Sequence, residues 1–325
     1  MRRLLVCVLL VVAGCGGTPV SSPPVQTPAP SRTPAPRIVA RPTHLHLAVA
    51  SWRLPYPISR EAVMPDPTRP GWFVLAGGMN PGDTSASRAI LVDPASGRTQ
   101  PLPDLGVPVH DVAAGPYLGK PAVFGGGNAT EQSVVQVFTG SAWRPVTHLP
   151  TTRSDLSVVT VGGRTLIIGG YDGSGTPRDI LTVGPHGLRR FGQLAVGVRY
   201  AATAVLGSTV YVFGGEVNHA ELSSVQAVSG SGATRVVARL PHPLGHAVAV
   251  VLGGRILLLG GHPSLNDRTD AAWWFDPATR SFSRAGRLPF ALSDSAVAVI
   301  GDRAWLLGGE GTGVTDQVVA ISLSK

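Results

Sequence analysis

Cysteine is almost missing from this chain: among 325 residues only Cys7 and Cys15 occur. Both lie near the N-terminus, so the bulk of the chain has no disulfide framework, thiolate metal site or thiol nucleophile. Charge is also sparse, at 14% of residues against 43% hydrophobic ones. That balance belongs to folded protein and argues against a disordered chain. Helical periodicity is lacking too. Apolar residues come instead in β-branched runs of roughly four to eight, which predicts an all-β fold. No apolar run reaches the roughly 20 residues a membrane-spanning helix needs. The formal charge is +8, but Lys and Arg are scattered singly. Without a basic cluster to track phosphates, nucleic acid is excluded as a partner, whereas a mild attraction to an anionic envelope surface remains.

The first forty-three residues carry an address rather than a fold. Met1-Arg2-Arg3 is a short positive segment, and Leu4 to Ala13 is an apolar stretch too short to span a bilayer. The run ends Val12-Ala13-Gly14-Cys15. This ending resembles the bacterial lipobox. The resemblance implies a signal peptide over 1–14, cleaved before Cys15, with lipid on the Cys15 thiol. Cys7 leaves with the peptide, and losing Arg2 and Arg3 lowers the formal charge from +8 to +6. A diacylglycerol group supplies two buried chains, enough for stable anchoring. Residues 15–43 are then rich in Pro, Ser, Thr and Ala, as in Thr33-Pro34-Ala35-Pro36. Such a segment cannot bury enough apolar surface to fold and is expected to be a disordered, semi-rigid linker. The expected location is the extracytoplasmic face of a bacterial cell membrane.

From residue 44 onward the chain repeats. An apolar run ends in two glycines at 77–78, 125–126, 169–170, 214–215, 260–261 and 308–309. The spacing is 48, 44, 45, 46 and 48 residues. A strand-rich period near 45 residues is the signature of propeller blades. Each period also holds a strand and tight turn before the glycines, as in Ala247 to Gly254, and a third strand after them, as in Trp273-Trp274-Phe275-Asp276-Pro277. A fourth strand ends Leu-Pro at Leu149-Pro150, Leu240-Pro241 and Leu288-Pro289. The pattern resembles the kelch repeat, the central domain of galactose oxidase included, across 44–325. It departs in the aromatics of strands three and four, of which Phe275 with Phe282, and Trp143, are the best remnants. The resemblance implies a six-bladed kelch-type β-propeller with four antiparallel strands per blade. The sixth unit lacks a fourth strand, while Leu45 to Pro55 has no unit of its own and ends in Trp-x-Leu-Pro. That N-terminal strand is therefore expected to complete blade six and so remove an open sheet edge.

In a kelch blade the first strand lies nearest the axis, and the loop leading into it opens on the same face as the loop after the double glycine. The polar residues there are Arg60, Glu61, His110, Asp111, Arg153, Asp155, Arg199, Tyr200, His246 and Asp294, with His242 nearby. Coming from six loops, they are expected to converge on one mouth and bind ligand there. Mixed arginine, carboxylate and histidine suits an anionic sugar or a charged peptide. The loops after the glycines add Tyr171, Glu216, His262 and Glu310.

No motif for a cofactor or metal survives inspection. Asp172-Gly173-Ser174-Gly175-Thr176 resembles the start of a calcium loop but lacks the later glutamate and flanking helices. Copper oxidase chemistry of the galactose oxidase kind needs a cysteine cross-linked to tyrosine, and the mature chain keeps only the lipidated one. The chain is expected to be a monomeric, non-catalytic binding or scaffold module, without cofactor, for a cell-envelope glycan, peptide or protein. The alternative is a carbohydrate-active enzyme of the sugar mutarotase or epimerase type, using acid–base groups at the mouth.

Overall fold

The computed structural model describes residues 44–324. The expected signal peptide, lipidated Cys15 and linker lie outside the described residues. Among the described residues there are six four-stranded antiparallel sheets and two short two-stranded ribbons, Met79–Asn80 with Thr84–Ser85 and Glu216–Val217 with Ala220–Glu221. Blade one comprises Ala62–Pro65, Phe73–Ala76, Ala89–Asp93 and Arg98–Leu102; blade two Ala113–Tyr117, Lys120–Phe124, Val134–Phe138 and Trp143–His148. Blade three comprises Ser157–Val161, Arg164–Ile168, Asp179–Gly184 and Gly187–Gln193; blade four Ala202–Leu206, Thr209–Phe213, Ser224–Val228 and Thr234–Arg239. Blade five comprises Val248–Leu252, Arg255–Leu259, Ala271–Asp276 and Ser281–Arg287. Blade six is Ala296–Ile300, Arg303–Leu307 and Gln317–Ser324, completed on its outer edge by His44–Arg53. The N-terminal strand pairs antiparallel from His44 opposite Ser324 to Arg53 opposite Gln317, so the expected closure is observed.

The first strands of successive blades stand side by side around the axis, with the first strand of blade six beside that of blade one. The third and fourth strands of blades two to five slip register, as between Val135 and Gln136 or Ile180 and Leu181. Such bulges increase local twist, which lets a blade turn as it leaves the crowded axis.

There is no single central core. Apolar side chains gather instead in six clusters, one between each pair of neighbouring blades. Between blades six and one, for example, Ala298, Trp305, Leu307 and Val318 pack on Ile58, Phe73, Leu75 and Val92. Between blades four and five, Phe213 meets Phe275 edge-on at 5.3 Å and 82°, and Phe275 lies 4.8 Å from Phe282. The aromatic remnants thus hold one blade interface.

The double glycines join blade to blade. The second glycine's N–H donates to a carbonyl of the next blade's incoming loop: Gly78 to Val109, Gly126 to Arg153, Gly170 to Val198, Gly215 to Leu244 and Gly261 to Leu292. Gly309 donates to Ile58 at 2.8 Å and closes the circle. Gly214 shows why no side chain fits. Its φ is +57°, and a Cβ would sit on the Leu244 carbonyl oxygen of blade five.

Candidate functional site

Six residues with left-handed backbone stand at the same place in all six blades, two positions before the first strand. They are Arg60, Asp111, Asp155, Tyr200, His246 and Asp294, with φ between 50° and 56°. This region is uncommon for residues other than glycine, least so for Asp and His, and backbone strain of this kind gathers at functional sites. The turn links the blades. Asp155 N–H donates to Asp111 carbonyl, Tyr200 to Asp155, His246 to Tyr200, Asp294 to His246, and Arg60 to Asp294, at 2.8 to 3.1 Å. The remaining junction, between blades one and two, is spanned by side chains: Arg60 Nη1 lies 3.3 Å from Asp111 Oδ2. Five backbone hydrogen bonds and one ion pair therefore circle the axis, and six side chains surround a cavity of about 120 Å3.

The residue before each left-handed position bridges to the residue after the double glycine: Ser59 to Met79, His110 to Gly127, Ser154 to Tyr171, Arg199 to Glu216, Gly245 to His262 and Ser293 to Glu310. This second tier supplies carboxylates to the first. Glu310 accepts from Arg60 Nε at 2.8 Å and Arg268 Nη2 at 2.7 Å. Glu216 accepts from Arg199 Nη2 at 2.6 Å and faces His246 Nε2 at 3.7 Å. Asp111 accepts from the Tyr200 hydroxyl at 3.3 Å. Tyr200, His246 and His262 stack in sequence, with ring centres 3.7 and 4.3 Å apart.

These contacts sort the protonation states. Burial works against the His246 cation, but Asp294 at 2.7 Å and Glu216 outweigh it and hold His246 up to about 9. Burial likewise opposes the Asp294 carboxylate, yet His246 and Arg60 hold it well below the usual carboxylate range. Glu216, facing the His246 cation and bonded to Arg199, is lowered to about 2 against the opposing effect of burial. His262 goes the other way: burial and the neighbouring His246 cation lower it to about 4. Neutral His262 Nε2–H then donates to Ser293 Oγ at 3.0 Å, and that hydroxyl donates to Asp294 at 2.8 Å. Burial pushes Asp111, Asp155 and Tyr200 up. Glu61 is raised to about 8 by burial, with Asp294 and Glu310 adding to the shift against two backbone N–H groups that lower it.

Of the residues expected at the mouth, Arg60, Glu61, Asp111, Asp155, Tyr200, His246 and Asp294 line the cavity. His110 and Arg199 stand on its rim. His110 Nδ1 is 2.8 Å from Ser85 Oγ, and its Nε2 is 3.6 Å from Asp111. Arg153 departs from the expectation. Its side chain is 1% exposed and forks onto Asp179 at 2.9 and 3.0 Å, away from the mouth. It occupies the slot filled by Ile58, Val109, Val198, Leu244 and Leu292 in the other blades, two residues before the left-handed mouth residue. His242 lies in another cavity, between blades four and five. Arg268 and Ser293 were not singled out from the sequence. Ser293 was findable as the neighbour of Asp294 in the blade register, whereas Arg268 comes from an irregular loop with no spacing to mark it. The calcium-like segment is a closed turn, its Asp172 Oδ1 accepting from Ser174 and Gly175 N–H at 2.8 Å each.

The family model described as Kelch motif matches residues 243–289. That segment is blade five with its incoming loop, the blade that keeps Phe275 and Phe282. It agrees with the ring of six blades, and the fold is a kelch-type β-propeller. No curated protein matches the chain.

Proposed function

We propose that this chain is a membrane-anchored extracytoplasmic propeller whose mouth captures a peptide or protein of the cell envelope. A kelch propeller is a scaffold for such binding. One observation carries the reading: six left-handed residues, strained in every blade, turn charged and aromatic side chains toward one cavity. Ordinary stability would favour glycine at those positions. The lipobox-like Val12-Ala13-Gly14-Cys15 supports anchoring. A glycan is the other partner class that arginine and carboxylate pairs suit. The test is affinity capture from solubilised envelope with wild type and with Arg199→Glu, which reverses charge beside Glu216. A partner retained by wild type and lost by the variant supports the reading. Equal capture by both sinks it.

A second reading is favoured by acid–base groups held near neutrality, Glu61 at about 8 and His246 at about 9. They suit proton transfer in sugar anomer interconversion. Exchange NMR on free reducing sugars decides it: unchanged exchange at high protein concentration dismisses the enzyme.

A further inference from the structure

Below the mouth the first strands enclose an axial channel of about 200 Å3. Its wall is mostly alanine and valine, and Glu61 is the one ionisable side chain that lines it. Mouth cavity and channel share Glu61, Val112, Ala201 and Ser295 in their linings, so one leads into the other. Glu61 is 6% exposed, and no side chain donates to either carboxyl oxygen; the backbone N–H groups of Glu61 and Ala296 bear on it without reaching good hydrogen-bond geometry. The charged groups that bear on it are Asp294 and Glu310, both acids. Arg60, the cation beside them, is already bonded to Glu310 and Asp111.

Two of the wall's three hydroxyls, Ser157 and Ser295 but not Thr203, add to the same imbalance. Ser157 Oγ donates to Ala201 carbonyl at 3.1 Å, and Ser295 Oγ donates to Gly308 carbonyl at 3.0 Å. Their protons are spent, so what they offer the channel is lone pairs. The lining therefore presents acceptors and apolar surface, with a buried acid lacking a counter-charge. Calcium or magnesium does not fit, because each needs about six or more oxygen ligands, and no group of three or more His, Cys, Asp or Glu gathers for any other metal ion among the described residues. A guanidinium fits less well: two of its five N–H donors fork onto the carboxylate, and the other three face a wall that is mostly alanine and valine. An ammonium is a compact donor of three hydrogen bonds with no acceptor, on a stem that packs against Ala and Val.

We propose that the axial channel binds a primary alkylammonium group, its nitrogen on the Glu61 carboxylate and its methylene stem along the alanine–valine wall. The matching protein group is a lysine side chain. The assignment rests on the mouth being the binding face, since the mouth leads to the channel. Binding ionises Glu61, so it releases a proton where the free acid is protonated.

Calorimetry on the intact protein tests this with n-butylammonium and with a short acetylated peptide carrying one lysine. Both are expected to bind at about pH 9, at least about tenfold more weakly at about pH 6, with proton release between. His246 titrates in the same range but faces the mouth. Glu61→Gln keeps His246, and is expected to abolish binding and proton release together. Thermal unfolding of that variant confirms that it is folded, and Glu61→Asp is expected to restore part of the affinity. A peptide at least about tenfold tighter than n-butylammonium identifies a partner's lysine, and equal affinities overturn that source. Absence of binding by either amine, or equal binding to Glu61→Gln, overturns the site. If Arg199→Glu still abolishes envelope capture in that case, the mouth reading stands and the channel assignment alone falls.

Discussion

His246 bonds one carboxylate, faces another and stacks between two rings, so single-residue effects at the mouth are dominated by its charge. Its folded value, about 9, lies above the ordinary 6.5. The stabilisation from His246 is therefore complete below 6.5 and disappears as pH rises through about 9. Glu216 behaves oppositely. Lowered from 4.5 to about 2, it stabilises fully above 4.5 and loses that contribution as pH falls toward 2. The thermal midpoint is thus expected to decline in both alkaline and acidic solution, and His246→Gln should flatten the alkaline limb. An unchanged alkaline limb in that variant would remove His246 as its cause. Arg153 is a different kind of cation, with carbonyls of Gly169 and Asp179 at 3.4 and 3.2 Å besides the Asp179 carboxylate. Arg153→Ala should cost about 2 kcal/mol, tempered by the partial exposure of Asp179. Arg153→Leu should cost less, because it restores the apolar residue used in the other blades. Urea unfolding ranks the two, and neither should alter partner capture.

At the scale of strands and turns, the glycine pairs divide into space and conformation. Gly162 and Gly214 have nearly equal φ, +55° and +57°, but a Cβ on Gly162 meets nothing within 4 Å. Gly162→Ala should cost only the left-handed backbone, about 1–2 kcal/mol. Gly214→Ala adds a collision with the Leu244 carbonyl and should cost about 1–3 kcal/mol more. Equal denaturation midpoints for the two would contradict the blade-joining role of the pair. This part of the molecule was legible in advance, because a period of double glycines is a backbone requirement written in residue type. The mouth was less so. Asp111 or Tyr200 does not announce a positive φ, and polar residues beside a strand can face either way. Arg153 misled because charge alone suggested the mouth, while the blade register, with Ser154 between it and Asp155, places it two residues before the mouth position. Gln136 and Gln226 were invisible for a similar reason. Each is wholly buried, bonding both N–H and carbonyl of Val107 or Val196, a polar pin that reads as an ordinary strand residue.

For the molecule as a whole, six interfacial clusters in place of a single core make ring closure a condition of stability. Removing His44–Arg53 strips the outer strand of blade six and bares the Gln317–Ser324 edge. An unpaired edge of this length, bearing Val318, Val319 and Ile321, invites pairing with other chains. The truncated protein is expected to elute as oligomers in size-exclusion chromatography with light scattering, while the full chain stays monomeric. A monodisperse truncated monomer of unchanged thermal midpoint would show that closure contributes little.

The direction of that closing strand also orients the molecule. Strand one of blade six runs away from the mouth, and the antiparallel order brings His44–Arg53 back toward it. His44 therefore begins on the far face, among the tight turns. The propeller's N-terminal attachment point therefore lies on the face opposite the binding cavity, and a label or support coupled at His44 leaves the mouth free.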